Sequence, residues 1–252
     1  MPIFLSEENG TGPFRRWLSK TGFSYEAADI FLPDQNQITM LDPEGQLKPS
    51  GDTLYVYMGG RGVNGGEVDA GFQYSAANDN WSLFLAVSGF GFTYGPEPGA
   101  DPHPRFGADQ PVRLEFEVVK QDVLEVRATG VKFGAEETIS LAIRADVSRF
   151  PTSNANVDAD RAGRPTNFNW KRGGSNRLKR VTSIGQTAGR QDFNTGSFVH
   201  GVHWSSCIIG KAPGDANPWS GANASAFISH PNNGVVSVDF TSQAEETVSI
   251  DL

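Results

Sequence analysis

Along most of the chain, apolar residues recur at every second position, and the runs are broken at short intervals by clusters of Gly, Pro, Asn and Asp. A period of two puts alternate side chains on opposite faces of an extended backbone, so the pattern predicts half-buried β-strands joined by tight turns. Strands are expected over residues 29–32, 37–41, 53–58, 67–74, 81–87, 112–119, 123–129, 138–145, 178–187, 198–209, 224–229, 235–240 and 247–252. "EVDAGFQY-SAAND-NWSLFL" and "VRLEFEVV-KQD-VLEVRATG" read as β-hairpins, each two alternating runs around a short polar connection. One short helix is expected over residues 14–20, because "GPFRRWLSK" begins close to a proline and Gly22 follows its end.

Thirteen such strands cannot form one open sheet without curling or splitting. The expected fold is therefore all-β, an antiparallel two-sheet jelly-roll sandwich. It is read as a single domain over residues 26–252 behind an N-terminal extension over residues 1–25. A chain of 252 residues suits one large sandwich, and the lack of a fixed repeat disfavours a propeller or solenoid. Two turn-rich stretches, residues 91–110 and 150–176, exceed the roughly 12–15 residues of an ordinary connector, and loops of that length tend to carry function.

Charge changes the picture by exclusion. The formal net charge is −8 and the sequence pI about 5.0, a field that repels polyanions and makes nucleic acid an unexpected partner. The one basic cluster, "WKRGGSNRLKR", holds Lys171, Arg172, Arg177, Lys179 and Arg180; it reads either as a solvated loop entering a strand or as a contact for an anionic ligand. No run approaches the length of a membrane span, and "MPIFLSEENG" lacks the basic and apolar regions of a secretory signal. The expected setting is extracellular or at the cell surface, with a cytoplasmic one left open. Cys207 is the single cysteine, which rules out an internal disulfide and an all-cysteine metal site.

The candidate chemistry centres on "GGEVDAGFQY", where alternation places Glu67, Asp69, Gly71 and Gln73 on the face opposite Val68, Ala70, Phe72 and Tyr74. Carboxylates two apart on a strand have Cα atoms roughly 6.5–7 Å apart, within the range used by acid/base pairs in glycoside hydrolysis. The alternatives are a ligand groove or a wetted sheet face. In "FVHGVHWSSC", strict alternation puts His203, Ser205 and Cys207 on one face and His200, Val202 and Trp204 on the other. Two histidines on opposite faces do not share a metal without a bulge. "SNANVDADRAG" offers Asn154, Asn156, Asp158 and Asp160 as a candidate calcium loop, since hard cations take several carboxylate and amide oxygens; a solvated loop is the alternative. Trp81, Trp170, Trp204, Trp219 and Tyr94 are candidate sugar-stacking platforms or core residues.

"LYVYMGG…GGEVDAGFQYS…NDNWSLF", followed by "RFGADQPVRLEFEVVKQDVLEVRATG", resembles the opening half of concanavalin-A-like jelly rolls. It is similar above all to the glutamic-peptidase (eqolisin) type, and also to uncharacterised YrpD-type bacterial proteins. The resemblance implies a sandwich with a working groove on one sheet. It puts the family's catalytic Gln at Asp69, and its catalytic Glu within "RLKRVTSIGQT", which contains no carboxylate. Laminarinase-like glycosidases on the same fold carry Glu-x-Asp-x-(x)-Glu; Glu67 and Asp69 match, but Gly71 and Phe72 stand where the second Glu belongs. Alginate-lyase-type jelly rolls use Arg, Gln, His and Tyr, types found here in Gln73, Arg180, Gln186, His200 and His203. The function expected first is glycan binding, with Gln73, Arg180, Gln186 and Trp204 as ligand contacts. An enzyme acting on polysaccharide or protein through Glu67 and Asp69 is second, and a structural protein third.

Overall fold

The structure is a computed structural model that describes residues 3–4, 12–41, 51–63, 66–88, 92–94, 104–146, 169–186 and 193–252. Its strands are β1 (Ile3–Phe4), β2 (Phe14–Thr21), β3 (Tyr25–Leu32), β4 (Ile38–Thr39), β5 (Thr53–Arg61), β6 (Glu67–Ser75), β7 (Asn80–Ser88), β8 (Phe92–Tyr94) and β9 (Gln110–Lys120). They continue with β10 (Val123–Val131), β11 (Thr138–Asp146), β12 (Arg177–Gly185), β13 (Phe198–Gly210), β14 (Asn217–Pro218), β15 (Ala224–His230), β16 (Val236–Ser242) and β17 (Glu245–Asp251). Eight form one sheet in the order β1-β15-β2-β12-β5-β6-β7-β8. The other runs β11-β10-β9-β3-β13-β17-β16, with β4 and β14 also paired to β13. Apart from the short parallel contact of β1 with β15, the ladders are antiparallel, as the alternating pattern requires.

The two-sheet jelly roll expected from the pattern is the fold. Its core lies between the sheets, built from the inward positions of both, for instance Val68, Ala70 and Phe72 of β6 and Leu114, Phe116 and Val118 of β9. Trp81, Trp170, Trp204 and Trp219 are all buried in this core, so none is a sugar platform. Tyr94 lies outside the described side chains, and the candidate calcium residues Asn154, Asn156, Asp158 and Asp160 lie outside the described residues. Among the described residues, no helix is long and apolar enough to cross a membrane, and no group of three or more His, Cys, Asp or Glu is placed to hold a metal.

Residues 14–20 form no helix; they are strand β2, inside the eight-stranded sheet between β15 and β12. The segment alternates as well as it cycles. As a strand it sends Arg15, Trp17 and Ser19 inward, all buried, and Phe14 and Arg16 outward. Two ladders, and the inward partners of Arg15 and Trp17, outweigh the capping signals at its ends.

Strand β13 departs from strict alternation twice. Its register shifts between Val199 and Val202 and again between Ser205 and Ile208, with Gly201 and Ser206 at φ of 80° and 50°. Each β-bulge adds a residue and flips the alternation beyond it. The first brings His200 and His203 to the same outer face, where His200 meets Asp251 at 2.6 Å and His203 meets Thr247 at 2.9 Å. The second turns Cys207 into the core, fully buried and away from His203; burial raises its thiol to about 11. The face shared by His203 and Cys207 in the sequence reading therefore does not exist.

Candidate functional site

Antiparallel register aligns the outward residues of β2, β12, β5, β6 and β7 into rows. One row reads Phe14, Ser183, Tyr55, Gln73, Ser82 and the next Arg16, Val181, Tyr57, Gly71, Phe84. A third reads Leu18, Lys179, Gly59, Asp69, Ala86. Together they surround a depression of about 340 Å³, whose lining includes Phe14, Arg16, Tyr55, Tyr57, Asp69, Gln73, Phe84 and Ser183. The polar row read from β6 thus faces this depression, with Val68, Ala70 and Phe72 buried behind it.

The aromatic side of the depression is formed by Tyr55, Tyr57 and Phe84, each only partly buried. Phe84 sits edge-on to Tyr55 at 5.8 Å and tilted against Tyr57 at 6.3 Å. Gly71, between Tyr57 and Phe84 in its row, leaves their gap open, because a Cβ there would lie 2.5 Å from the Tyr57 Cα. Opposite them, the Arg16 guanidinium lies over the Phe14 ring at 4.4 Å.

The charged end is a bridge across a strand. Lys179 on β12 and Asp69 on β6 flank β5, roughly 9.6 Å apart at two strand spacings, yet the Lys179 Nζ lies 2.7 Å from Asp69 Oδ1. The ammonium also donates a short hydrogen bond to Glu67. The residue between them in the row is Gly59. Gly59 has φ of 133°, and a Cβ there would lie 2.0 Å from the Val68 carbonyl oxygen, so no other residue fits. Burial alone would push the Lys179 ammonium towards neutrality, but Asp69, Tyr57 and Glu67 outweigh it and raise its pKa above the ordinary lysine value. Glu67 is raised by burial, but the charge and hydrogen bond of Lys179 hold it below the usual carboxylate range. Burial, then the Asp69 charge, lifts Tyr57 to about 12.

The remaining predicted contacts are elsewhere. Arg180 and Trp204 point into the core, both 1% exposed. Arg180 lies 3.1 Å from Glu246, which also takes hydrogen bonds from Arg15 at 2.9 Å and Trp17 at 2.8 Å, and Trp204 donates to Thr182 at 2.9 Å. Burial pushes Glu246 up, but Arg180 and then Arg15 hold it below its ordinary value. Gln186 is buried against Asp52, with contacts of 3.2 and 3.4 Å. Successive side chains of β12 alternate, so a one-residue choice decides the face: Lys179, not Arg180, is the cation that β12 turns to the outer face, where it holds Asp69 at the edge of the depression. Glu26 of β3, missed in the sequence, lies behind the bridge and accepts a hydrogen bond from the Gly59 amide at 3.0 Å. Its second oxygen is buried without a hydrogen-bond partner, and desolvation raises its pKa well above the ordinary value.

The outer face of the nine-stranded sheet is different in kind. It carries compensated surface charges, Asp29 with Arg113 at 3.2 Å and Glu117 with Arg172 at 3.3 Å, and the Phe198 ring stacked on His200 at 4.8 Å.

No family model matches the chain, and no curated protein matches it. Solved structures do. Scytalido-glutamic peptidase bound to a peptide-based transition-state analog aligns over 96% of this chain and 98% of its own, with a TM-score of 0.51 at 8% identity. A second structure of that peptidase with a transition-state analog inhibitor gives 97%, 99%, 0.50 and 7%. SCP-B, a member of the eqolisin family of peptidases in complex with the tripeptide Ala-Ile-His, gives 96%, 98%, 0.50 and 7%. The chain therefore has the jelly-roll sandwich fold of the eqolisin peptidases. At such identity the likeness is one of fold.

Proposed function

We propose that the protein is a binding module for an extended glycan, held in the depression on the eight-stranded sheet, in an extracellular or cell-surface setting. The observation that carries this reading is the trio Tyr55, Tyr57 and Phe84, left partly exposed on a sheet face and ringed by the polar groups of Gln73, Ser183, Arg16 and Asp69. Aromatic rings in such positions present flat apolar surface to the carbon face of a sugar, while the polar rim fixes its hydroxyls.

The second reading is an acid peptidase acting in the same depression, which draws on the fold shared with the eqolisins. Against it, Asp69 occupies the place where the resemblance puts the catalytic Gln. The residue facing it from the segment where the Glu should fall is Lys179. At the acid pH of such an enzyme the Lys179 ammonium stays protonated and accepts no proton. Glu67 and Asp69 are spent on holding it.

A glycan array on the purified protein separates the readings. Binding to at least one glycan class, lost in Tyr57→Ala and Phe84→Ala with folding intact by circular dichroism, is expected. No binding to any glycan, together with peptide release in acid that disappears in Asp69→Asn, would overturn the glycan reading in favour of the peptidase.

A further inference from the structure

Resting on the glycan reading, we propose that the depression binds a 1,4-linked sugar chain lying along β5, with one ring stacked on Tyr55 and its two free edges read by Ser183 and Gln73. These three residues form one row of the sheet, Ser183 and Gln73 flanking Tyr55 from β12 and β6. All three line the depression. Two strand spacings put the flanking pair roughly 9.6 Å apart at Cα, and the reach of a serine and a glutamine narrows that span to the width of one pyranose ring. Gln73 is exposed and Ser183 half-buried, so a ligand can meet both. The hydroxyl of Ser183 and the amide of Gln73 each donate and accept hydrogen bonds, as sugar hydroxyls do. Ser82, next in the row, is committed elsewhere, its hydroxyl donating to the Gln73 backbone carbonyl at 3.3 Å.

The Tyr55 ring is bounded from both sides of β5. Phe84 of β7 lies edge-on to it at 5.8 Å. From β12 it meets Gly185, which also lines the depression and where a Cβ would lie 2.9 Å from Tyr55 Cε2; the missing side chain lets the ring take this place. Because the row runs across the strands, the edges of a stacked sugar face β12 and β6, and its links to neighbouring units point along β5. In a pyranose C1 and C4 lie opposite one another, with C2 and C3 on one edge and C5 with its hydroxymethyl group on the other. A 1,4-linked chain therefore leaves both edges free for Ser183 and Gln73, whereas a 1,3-linked chain spends an edge hydroxyl on its own linkage. The next unit falls on Tyr57, roughly 6.6 Å further along β5. Beyond it the row of Gly59 is flanked by Lys179 and Asp69, so the bridge governs the unit that follows.

The test is titration calorimetry of the intact protein with three neutral probes. Cellohexaose is 1,4-linked, xylohexaose is 1,4-linked but lacks the hydroxymethyl group, and laminarihexaose is 1,3-linked. Cellohexaose is expected to bind most tightly, xylohexaose about three- to tenfold more weakly for the lost hydrogen bond, and laminarihexaose about tenfold or more weakly. Ser183→Ala and Gln73→Ala are each expected to weaken cellohexaose by about three- to tenfold. One of the two, whichever removes the partner of the hydroxymethyl group, should also abolish the gap between cellohexaose and xylohexaose. Gly185→Ala keeps both polar side chains but displaces Tyr55, and is expected to weaken all three probes by about tenfold or more, with a changed near-ultraviolet circular dichroism signal. Thermal unfolding of each variant separates lost binding from lost folding. If Gly185→Ala does not fold, the order of the probes and the other two variants still decide. Laminarihexaose binding as tightly as cellohexaose, or Ser183→Ala and Gln73→Ala both binding like the parent, would overturn this inference while leaving the glycan reading in place. So would silence toward all three hexamers from a protein that binds another class on the glycan array. Silence toward the hexamers and the array alike would sink the glycan reading, and this inference with it.

Discussion

Lys179 and Arg180 are neighbours in sequence and belong to two clusters of similar composition, each joining cations to carboxylates across strands. Lys179 points out, to Asp69 and Glu67 at the edge of the depression. Arg180 points in, to Glu246, with Arg15, Trp17 and Trp204 around it. The same chemistry has different consequences on the two sides of one strand. Inside, every charge is desolvated and must be matched, so the cluster fixes how the sheets sit on one another. Outside, the carboxylates keep contact with water, and the cluster tunes a surface.

Breaking the inner cluster should have the largest effect. Glu246→Gln leaves Arg15 and Arg180 buried without their counter-charge, and uncompensated buried charge costs about 3–5 kcal/mol; urea denaturation should show a loss of that size. Lys179→Met should cost about 1–2 kcal/mol, between the cost of breaking a surface pair and a buried one, and its main effect should appear in ligand selectivity. Equal losses for the two variants in the same denaturation series would remove the distinction between the clusters.

Acidity separates the clusters further. Glu246 and Glu67 are held below their ordinary values by their cations. Their contribution is present above the unfolded carboxylate pKa and is lost as pH falls through the folded one. Glu26 works in the opposite direction. Its folded pKa is raised by burial, so the folded state holds the extra proton, and stability declines as pH rises from the unfolded carboxylate pKa through the raised folded value. Thermal melts across pH should therefore show this decline as pH rises above the unfolded carboxylate pKa, and Glu26→Gln, which keeps the side-chain oxygen that accepts from Gly59, should flatten it. An unchanged profile in Glu26→Gln would mean that Glu26 does not hold that proton. The smallest effect expected is that of Gln73→Ala, exposed on β6: stability within about 0.5 kcal/mol of the parent, and a modest loss of glycan affinity by calorimetry.

The fold was legible because alternation is local. The β6 row was read correctly from sequence, since Val68, Ala70, Phe72 and Tyr74 define the inner face without reference to any other strand. The same argument was available for β12, where Leu178, Arg180, Thr182 and Ile184 share the buried face and Lys179, Val181 and Ser183 take the other. That parity puts Arg180 in the core and Lys179 on the outer face. Gly201 in "VHGVH" is the kind of strand glycine that marks a bulge, but nothing in the sequence signals the one at Ser206, which a non-glycine residue makes at positive φ. The bridge over Gly59 was not legible at all, because it depends on which strands flank β5, a matter of long-range pairing that local pattern does not encode.

The most direct test of the central claim, that the working surface is the depression on the eight-stranded sheet, is amide chemical-shift mapping during titration with whichever glycan the protein binds. The account predicts that the shifted residues cluster at Tyr55, Tyr57, Asp69, Gln73, Phe84 and Ser183, with the outer face around Arg113 and Glu117 unmoved. Shifts centred on that outer face, with the depression silent, would contradict it.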